Sequence, residues 1–286
     1  MKEDKHFIHL VVSDLSGVER AKTILSQDPY VSPLTAGWIP SNVLITCFGD
    51  LTPSDKPELG DVNLVSVNER SVSLKLLERT IETGFSVCSI ENLDRSPWEC
   101  CLRSQLESAI KRLDESFGLK LRIGLEQEFY MLDTSRESLN AYSLHSFLEE
   151  EDFLNFLAQS IESAGIGLKS VHSENGVGQF ELTFAPEDPL KACDELILAK
   201  CIGRLCSVKM RRSLTFSPLI SDDKVGSGLH VHFSICNRDG SNINADEHHV
   251  VSQKAGAFLS GILKHLKALI ALTSPSVISG KRYQPP

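Results

Sequence analysis

No stretch of this 286-residue chain gathers lysine and arginine into a run, and the acids outnumber the bases, 38 Asp and Glu against 29 Lys and Arg. The formal net charge of −9 argues against a broad nucleic-acid surface, which needs a basic patch. An anionic ligand would need local Lys, Arg or a metal. No segment reaches the length of a membrane span. No apolar core follows the polar start "MKEDKHF", so no signal peptide is expected. None of the cysteines forms a CxxC, and the adjacent Cys100 and Cys101 suit neither a tetrahedral zinc site nor a redox pair. Scattered thiols of this kind read as small buried hydrophobes in a reducing cytosol, and a cytoplasmic protein is expected. The chain also lacks internal repeats and low-complexity tracts.

What is present is ordered hydrophobic patterning. "HFIHLVVSDLSGVERAKTIL" reads as a strand, a turn at Asp14–Gly17, and a second strand or short helix. "SNVLITCFGDL", "DVNLVSV" and "GFSVCSI" read as further strands, with a surface loop over "LTPSDKPELG". The period then changes. Trp98, Leu102, Leu106, Ala109, Leu113 and Phe117 fall at helical spacing, with Ser96, Pro97 and Glu99 as a start signal and Gly118 as a stop. Three more helices are expected in "HSFLEEEDFLNFLAQSIESAG", "PLKACDELILAKCIGRLCSVKM" and "VVSQKAGAFLSGILKHLKALIALT". The pattern is α+β, with a strand-rich unit over residues 1–92 and a larger unit over residues 93–286.

Three strand candidates carry chemistry on one face. In "LKLRIGLEQEFYML", Glu126 and Glu128 alternate with apolar residues, so their side chains leave the same face about 6.8 Å apart. In "GQFELTF", Gln179, Glu181 and Thr183 oppose Phe180, Leu182 and Phe184. In "GLHVHFSIC", His230, His232 and Ser234 oppose Leu229, Val231, Phe233 and Ile235. Any one such strand is most often a solvated face. Together they place like charges where a cation would relieve their repulsion. Carboxylates with one or two imidazoles and no thiolate suit Mg²⁺ or Mn²⁺. Such ions bind phosphates and neutralise charge in phosphoryl transfer.

These motifs resemble a family. "GLEQEFY", "ENGVGQFE" and "GSGLHVHFS" are similar to successive motifs of glutamine synthetases, and "SPSVISGKRYQP" to a worn form of a fourth, all in the family's order. "SPWECCLRSQL" and "VVSDLSGVER" extend the resemblance over nearly the whole chain. It implies an N-terminal β-grasp domain followed by a catalytic α+β domain with a curved antiparallel sheet. It also implies ligation of ammonia or an amine to the γ-carboxylate of glutamate through an acyl-phosphate made with ATP. By the same resemblance Glu128, Glu174 and Glu181 hold one metal, and Glu126 and His230 belong to a second on the ATP side. His232 and Ser234 lie near the nucleotide. Gly226 contacts the amino-acid substrate, Arg282 pairs with its carboxylate, and Asp50 is the candidate acid toward the ammonium site. A ring-shaped homo-oligomer is implied too, with no nucleic-acid or membrane partner.

The departures shape the expectation. Val225 stands where the family has Asn before its G-S-G, which removes an amide from the substrate side. Ser274, Ile278, Gly280 and Tyr283 replace the usual Asn, Asn, Tyr and Leu of the last motif. The resemblance stops at Pro286, before the family's flap glutamate, further arginines and last ATP-side metal ligand, so a C-terminally truncated catalytic domain is expected. Two functions follow: a glutamate–ammonia or glutamate–amine ligase, or an inactive member serving as a binding or structural subunit. A guanidino kinase shares the paired-acid strand, but "ENGVGQFE" and the N-terminal unit fit the ligase better.

Overall fold

The computed structural model describes residues 7–25, 34–43, 45–46, 49–50, 60–76, 79–134 and 141–282. The chain forms two compact units whose segments alternate. One takes Met1–Gln105, Asp152–Gly167 and Asp194–Arg211; the other takes Leu106–Glu151, Leu168–Cys193 and Arg212–Pro286. The sequence reading divides the chain once, after residue 92.

The first unit is built on a mixed five-stranded sheet. Strand β1 (Phe7–Ser13) turns back into β2 (Glu19–Leu25), so the second element of that hairpin is a strand. The turn is held by Asp14, whose carboxylate accepts the Ser16 and Val18 amides at 2.9 Å each and pairs with Arg20 at 2.9 Å. Strands β3 (Thr35–Trp38), β4 (Val62–Leu76) and β5 (Arg79–Glu91) complete the order β2-β1-β5-β4-β3. β1 and β5 run parallel and the other pairs antiparallel. Ile8, Leu10, Val12, Leu64 and Ile90 bury one face of this sheet together with Trp98.

Two expectations for this region are corrected. Among the described residues of "SNVLITCFGDL" no strand forms beyond a single bridge at Ile45: Pro40–Val43 is a 3₁₀ turn, and Gly49, at φ +92, closes a reverse turn through its amide on the Thr46 carbonyl. Asp50 sits exposed in this turn, its amide 3.2 Å from Thr46 Oγ1. The expected loop at Leu51–Gly60 lies outside the described residues except for Gly60. Helix α1 spans Leu102–Phe117, one turn later than the Ser96–Pro97 signal. Pro97 instead bridges Glu91, the Trp98 amide bonds the Ile90 carbonyl at 3.0 Å, and the Trp98 ring enters the core. Burying that ring outweighs one further turn of helix. Gly118, at φ +63, ends α1 as expected.

The second unit carries an antiparallel sheet in the order β10-β6-β8-β7, with a short β9 (Leu214–Thr215) also on β6. These strands are β6 (Leu119–Met131), β7 (Leu168–Ser173), β8 (Gln179–Phe184) and β10 (Leu229–Asn237). The apolar faces of β6 and β8 pack as the alternation requires, whereas on β10 Ile235 is buried but Leu229 and Val231 are exposed. Phe129 lies 5.9 Å from Phe180 and 6.0 Å from Phe216, ring centre to ring centre. Leu119 and Ile235 pack with Leu113 of α1, Phe233, Ala255 and Phe258.

Two expected helices are each broken in two. Ser143 caps α2 (Leu144–Glu149), and the backbone leaves helical geometry at Glu150 before α3 (Glu151–Ser163). Helix α4 (Pro189–Met210) matches its expectation, with Asp188 accepting the Leu190 amide at 3.1 Å. Ser252 caps α5 (Gln253–Lys264); the chain then bends by 67° at His265 into α6 (Leu266–Thr273). A short α7 (Val277–Arg282) follows, which the sequence reading did not include. Among the described residues no single helix is long and apolar enough to cross a membrane.

Candidate metal and substrate site

Register brings the charged faces into one cluster. On β6, Glu126 stands opposite Thr183 of β8 and opposite His230 of β10, and Glu128 stands opposite Glu181. On the far side of β8, Glu181 stands opposite His172 of β7. Glu174 follows β7 directly, and its amide bonds the Gln179 carbonyl at 2.8 Å. Side chains from β6, β7 and β10 therefore converge on Glu181 of β8, whose own side chain is only 7% exposed.

The donor atoms fall into two groups of three, each with its atoms within 4.8 Å of one another: Glu126, Glu181 and His230, and His172, Glu174 and Glu181. In the first, His230 Nδ1 lies 3.5 Å from Glu126 Oε2 and 3.9 Å from Glu181 Oε2. In the second, His172 Nε2 lies 3.0 Å from Glu174 Oε1 and 3.6 Å from Glu181 Oε1. Burial, then the neighbouring charge of Glu126, pushes the Glu181 carboxyl above its ordinary range, with His172 working the other way. The cluster disfavours its own charge, and a divalent cation would relieve that. Carboxylate oxygens with imidazole nitrogens suit Mn²⁺ or Mg²⁺, so the residues present fit the metal that the sequence reading expects.

Glu128 is placed differently from the other acids. Its Oε2 accepts Gln179 Nε2 at 2.8 Å and the Gly228 amide at 2.9 Å, and its own amide bonds the Gly228 carbonyl at 3.1 Å. Gln179 also reaches the Gly226 carbonyl at 3.2 Å. Tyr130, on the same face of β6, donates to the Val225 carbonyl at 2.7 Å, and burial followed by the Glu128 charge raises its phenol to about 12. The Val225–Gly228 segment is thus tied to β6 and β8 by backbone and carboxamide contacts.

The glycines of this site answer to close approach. A Cβ on Gly226 would fall 2.5 Å from Arg282 Cγ, and one on Gly228 would fall 2.8 Å from an Arg282 terminal nitrogen and 3.1 Å from Glu128 Oε1. Arg282 therefore lies along the Gly226–Gly228 segment beside Glu128. Two residues that the resemblance assigns to the amino-acid substrate, Gly226 and Arg282, are brought together. His232 sets Nε2 3.0 Å from Glu126 Oε2, and Ser234 follows on the same face of β10. Asp50 belongs to the first unit.

One donor escaped the sequence reading. His172 sits on β7, which was not foreseen as a strand. The signal available was its spacing, two residues before Glu174 in "VHSENG", the same alternation that marked Glu126 and Glu128.

Comparison with known proteins identifies the architecture. The family model "Glutamine synthetase, catalytic domain" matches residues 99–286. The type-1 glutamine synthetase 1 of Dictyostelium discoideum is 33% identical over 217 residues, 68% of this chain and 43% of that protein. The gamma-glutamylpolyamine synthetase of Streptomyces coelicolor is 26% identical over 297 residues, 98% of this chain and 62% of that protein. A solved structure described as a novel glutamine synthase homolog superposes with a TM-score of 0.90 at 25% identity, covering 99% of this chain and 68% of that one. The chain spans about half the length of the curated relatives it matches. With the matched model covering the cation cluster and more than half of the sequence, this chain belongs to the glutamine synthetase family.

Proposed function

We propose that this chain supplies the cation, nucleotide and amino-acid subsites of an ATP-dependent glutamate–amine ligase. The observation that carries the reading is the convergence of Glu126, Glu174, Glu181, His172 and His230 from four neighbouring strands, beside the Gly226–Gly228 segment and Arg282. Bound Mg²⁺ or Mn²⁺ would offset the charge that develops when a carboxylate meets a nucleotide phosphate. The chain's own part is to orient: Arg282 holds the substrate carboxylate against Gly226, while His232 and Ser234 flank the nucleotide. The γ-carboxylate of glutamate attacks the γ-phosphorus of ATP and ADP leaves. The amine then attacks the acyl carbon of the resulting acyl-phosphate, releases inorganic phosphate and loses a proton. Enclosure from water protects that intermediate. In the same proposal the first unit's sheet is the family's β-grasp, and copies of the chain assemble with one another.

The hydrophobic Val225 at the mouth of the segment favours an amine larger than ammonia or an acid other than free glutamate, since no amide is offered there. The test is phosphate release from ATP with glutamate and either ammonia or a polyamine, at saturating Mg²⁺. Turnover with one of them supports the ligase. ATP binding without turnover favours the second reading, a binding subunit; its specific support is the last motif, where Ser274, Ile278 and Gly280 stand in place of Asn, Asn and Tyr.

A further inference from the structure

Gln179 opens β8 on the same face as Glu181, and the sequence reading gave it no role of its own. It is 1% exposed, and both polar atoms of its side chain are engaged. Its Oε1 accepts the Gly176 amide at 2.9 Å. Its Nε2 donates to Glu128 Oε2 at 2.8 Å and also reaches the Gly226 carbonyl at 3.2 Å and Ser227 Oγ at 3.4 Å. We propose that Gln179 is a positioning residue: the turn after Glu174 fixes its carboxamide, and the carboxamide in turn holds the Glu128 carboxylate by one oxygen so that the other is left for a cation. The proposal rests on the cation-dependent reading above and adds to it the residue that orients one of the acids.

Three observations carry it. First, the partners fix which way the carboxamide points. A backbone N–H only donates and an ionised carboxylate only accepts, so the oxygen must face Gly176 and the nitrogen Glu128. Second, the two oxygens of Glu128 are treated differently. Oε2 accepts both Gln179 and the Gly228 amide, the latter at 2.9 Å, while among the described residues no hydrogen bond reaches Oε1. Hydrogen bonds of this kind orient a carboxylate before a cation arrives. Third, the turn is seated directly on this group. A Cβ on Gly176 would overlap the Tyr130 hydroxyl and fall 2.8 Å from Gln179 Oε1, so only a glycine lets the turn come this close. Tyr130 is itself held, donating to the Val225 carbonyl at 2.7 Å.

The test is a double-mutant cycle on Mn²⁺ binding to the whole chain without substrates, read by calorimetry. Gln179→Met keeps the volume of the side chain and loses its hydrogen bonds. It should weaken the Mn²⁺ binding that depends on Glu128 by about 10–100-fold. Glu128→Gln identifies that part of the binding. Because Gln179 acts through Glu128, the double variant should bind within about twofold of Glu128→Gln alone. A side chain that merely supports the fold would instead add its loss in full to that of Glu128→Gln. Thermal melting of each metal-free protein shows whether it folds. Gln179→Asn, too short to span Gly176 and Glu128 together, gives the same cycle if the methionine variant does not fold.

A folded Gln179→Met variant with wild-type affinity would overturn the proposal, as would a double variant whose losses multiply. Glu128→Gln binding Mn²⁺ as the wild type does would overturn it too, while leaving the ligase reading to the phosphate-release assay. A chain that binds in the expected pattern but releases no phosphate would keep the proposal and lose the ligase.

Discussion

Glu19 and Glu181 are the same residue type, almost equally buried, with side chains 6% and 7% exposed. They sit in different units and their environments have opposite sense. Around Glu19, in the first unit, burial pushes the carboxyl up, but Lys200 at 2.5 Å and Arg204 at 2.8 Å together outweigh it and hold the group below its ordinary range. Around Glu181 burial pushes the same way, and the next largest influence, Glu126, adds to it. One acid is satisfied by its own chain. The other is surrounded by acids and imidazoles; His172 and the Thr183 hydroxyl offset only part of that, and a cation from outside would balance the rest. A buried carboxylate with internal cations is a structural fastening, and a buried carboxylate among carboxylates is a candidate site.

The comparison breaks most visibly at Glu19. Glu19→Ala removes the buried carboxylate that Lys200 and Arg204 both contact and should cost about 2–4 kcal/mol in urea unfolding. It should leave Mn²⁺ stoichiometry unchanged. The pH dependence follows from the sign of the shift. Glu19 is held below its unfolded value, so its contribution is full above the unfolded value and disappears as pH falls through the lower folded value. The alanine variant should lack that acid-limb loss. A variant as stable as the wild type would mean that the three charges only coexist.

The next largest effect is expected at Gly178, in the turn that joins Glu174 to β8. Its φ is +77, and a Cβ there would fall 2.7 Å from Thr134 Cγ2 and 2.9 Å from the Met131 carbonyl oxygen. Gly178→Ala should cost roughly 1–3 kcal/mol. Unlike Glu19→Ala, it should also weaken Mn²⁺ binding, because the turn sets the spacing of Glu174 and Glu181. Loss of stability without loss of affinity would separate the turn from the site.

How much of this was legible before any coordinates depends on what each feature rests on. The faces of β6, β8 and β10 follow from alternation alone, and the cross-strand pairing kept every expected residue on its side. Gly118 is a local signal and α1 ends there, and α4 spans the Pro189–Met210 stretch read as a helix. The Ser96–Pro97 start failed because a remote partner, Ile90, claims the Trp98 backbone, and no local pattern encodes that. The break at Glu150 failed for a related reason: Arg212, far along the chain, pairs with both Glu150 and Asp133 at 2.7 Å. In the site, which acids share a face was readable. Which of them stands nearest a given imidazole depends on register between strands, so Glu128 and His172 could not be sorted by spacing.

The smallest expected effect is the most telling, because its sign is unusual. Glu181→Gln removes a charge from a place where burial and Glu126 both disfavour it. In the metal-free protein the folded state holds this proton more tightly than the unfolded state does. Stability therefore falls as pH rises from the ordinary carboxylate range through the raised folded value, and above that value the penalty is fully present. The glutamine variant escapes it and should be more stable than the wild type without metal, by no more than about 1 kcal/mol, the scale of a charge interaction that water still screens. Saturating Mn²⁺ should reverse the order, since the wild type gains more binding energy on folding than a variant lacking one carboxylate ligand. Melting curves of both proteins with and without Mn²⁺ at pH 7 give the four values needed. If the glutamine variant is the less stable one even without metal, Glu181 belongs with Glu19 as a structural fastening, and the contrast between the two carboxylates fails.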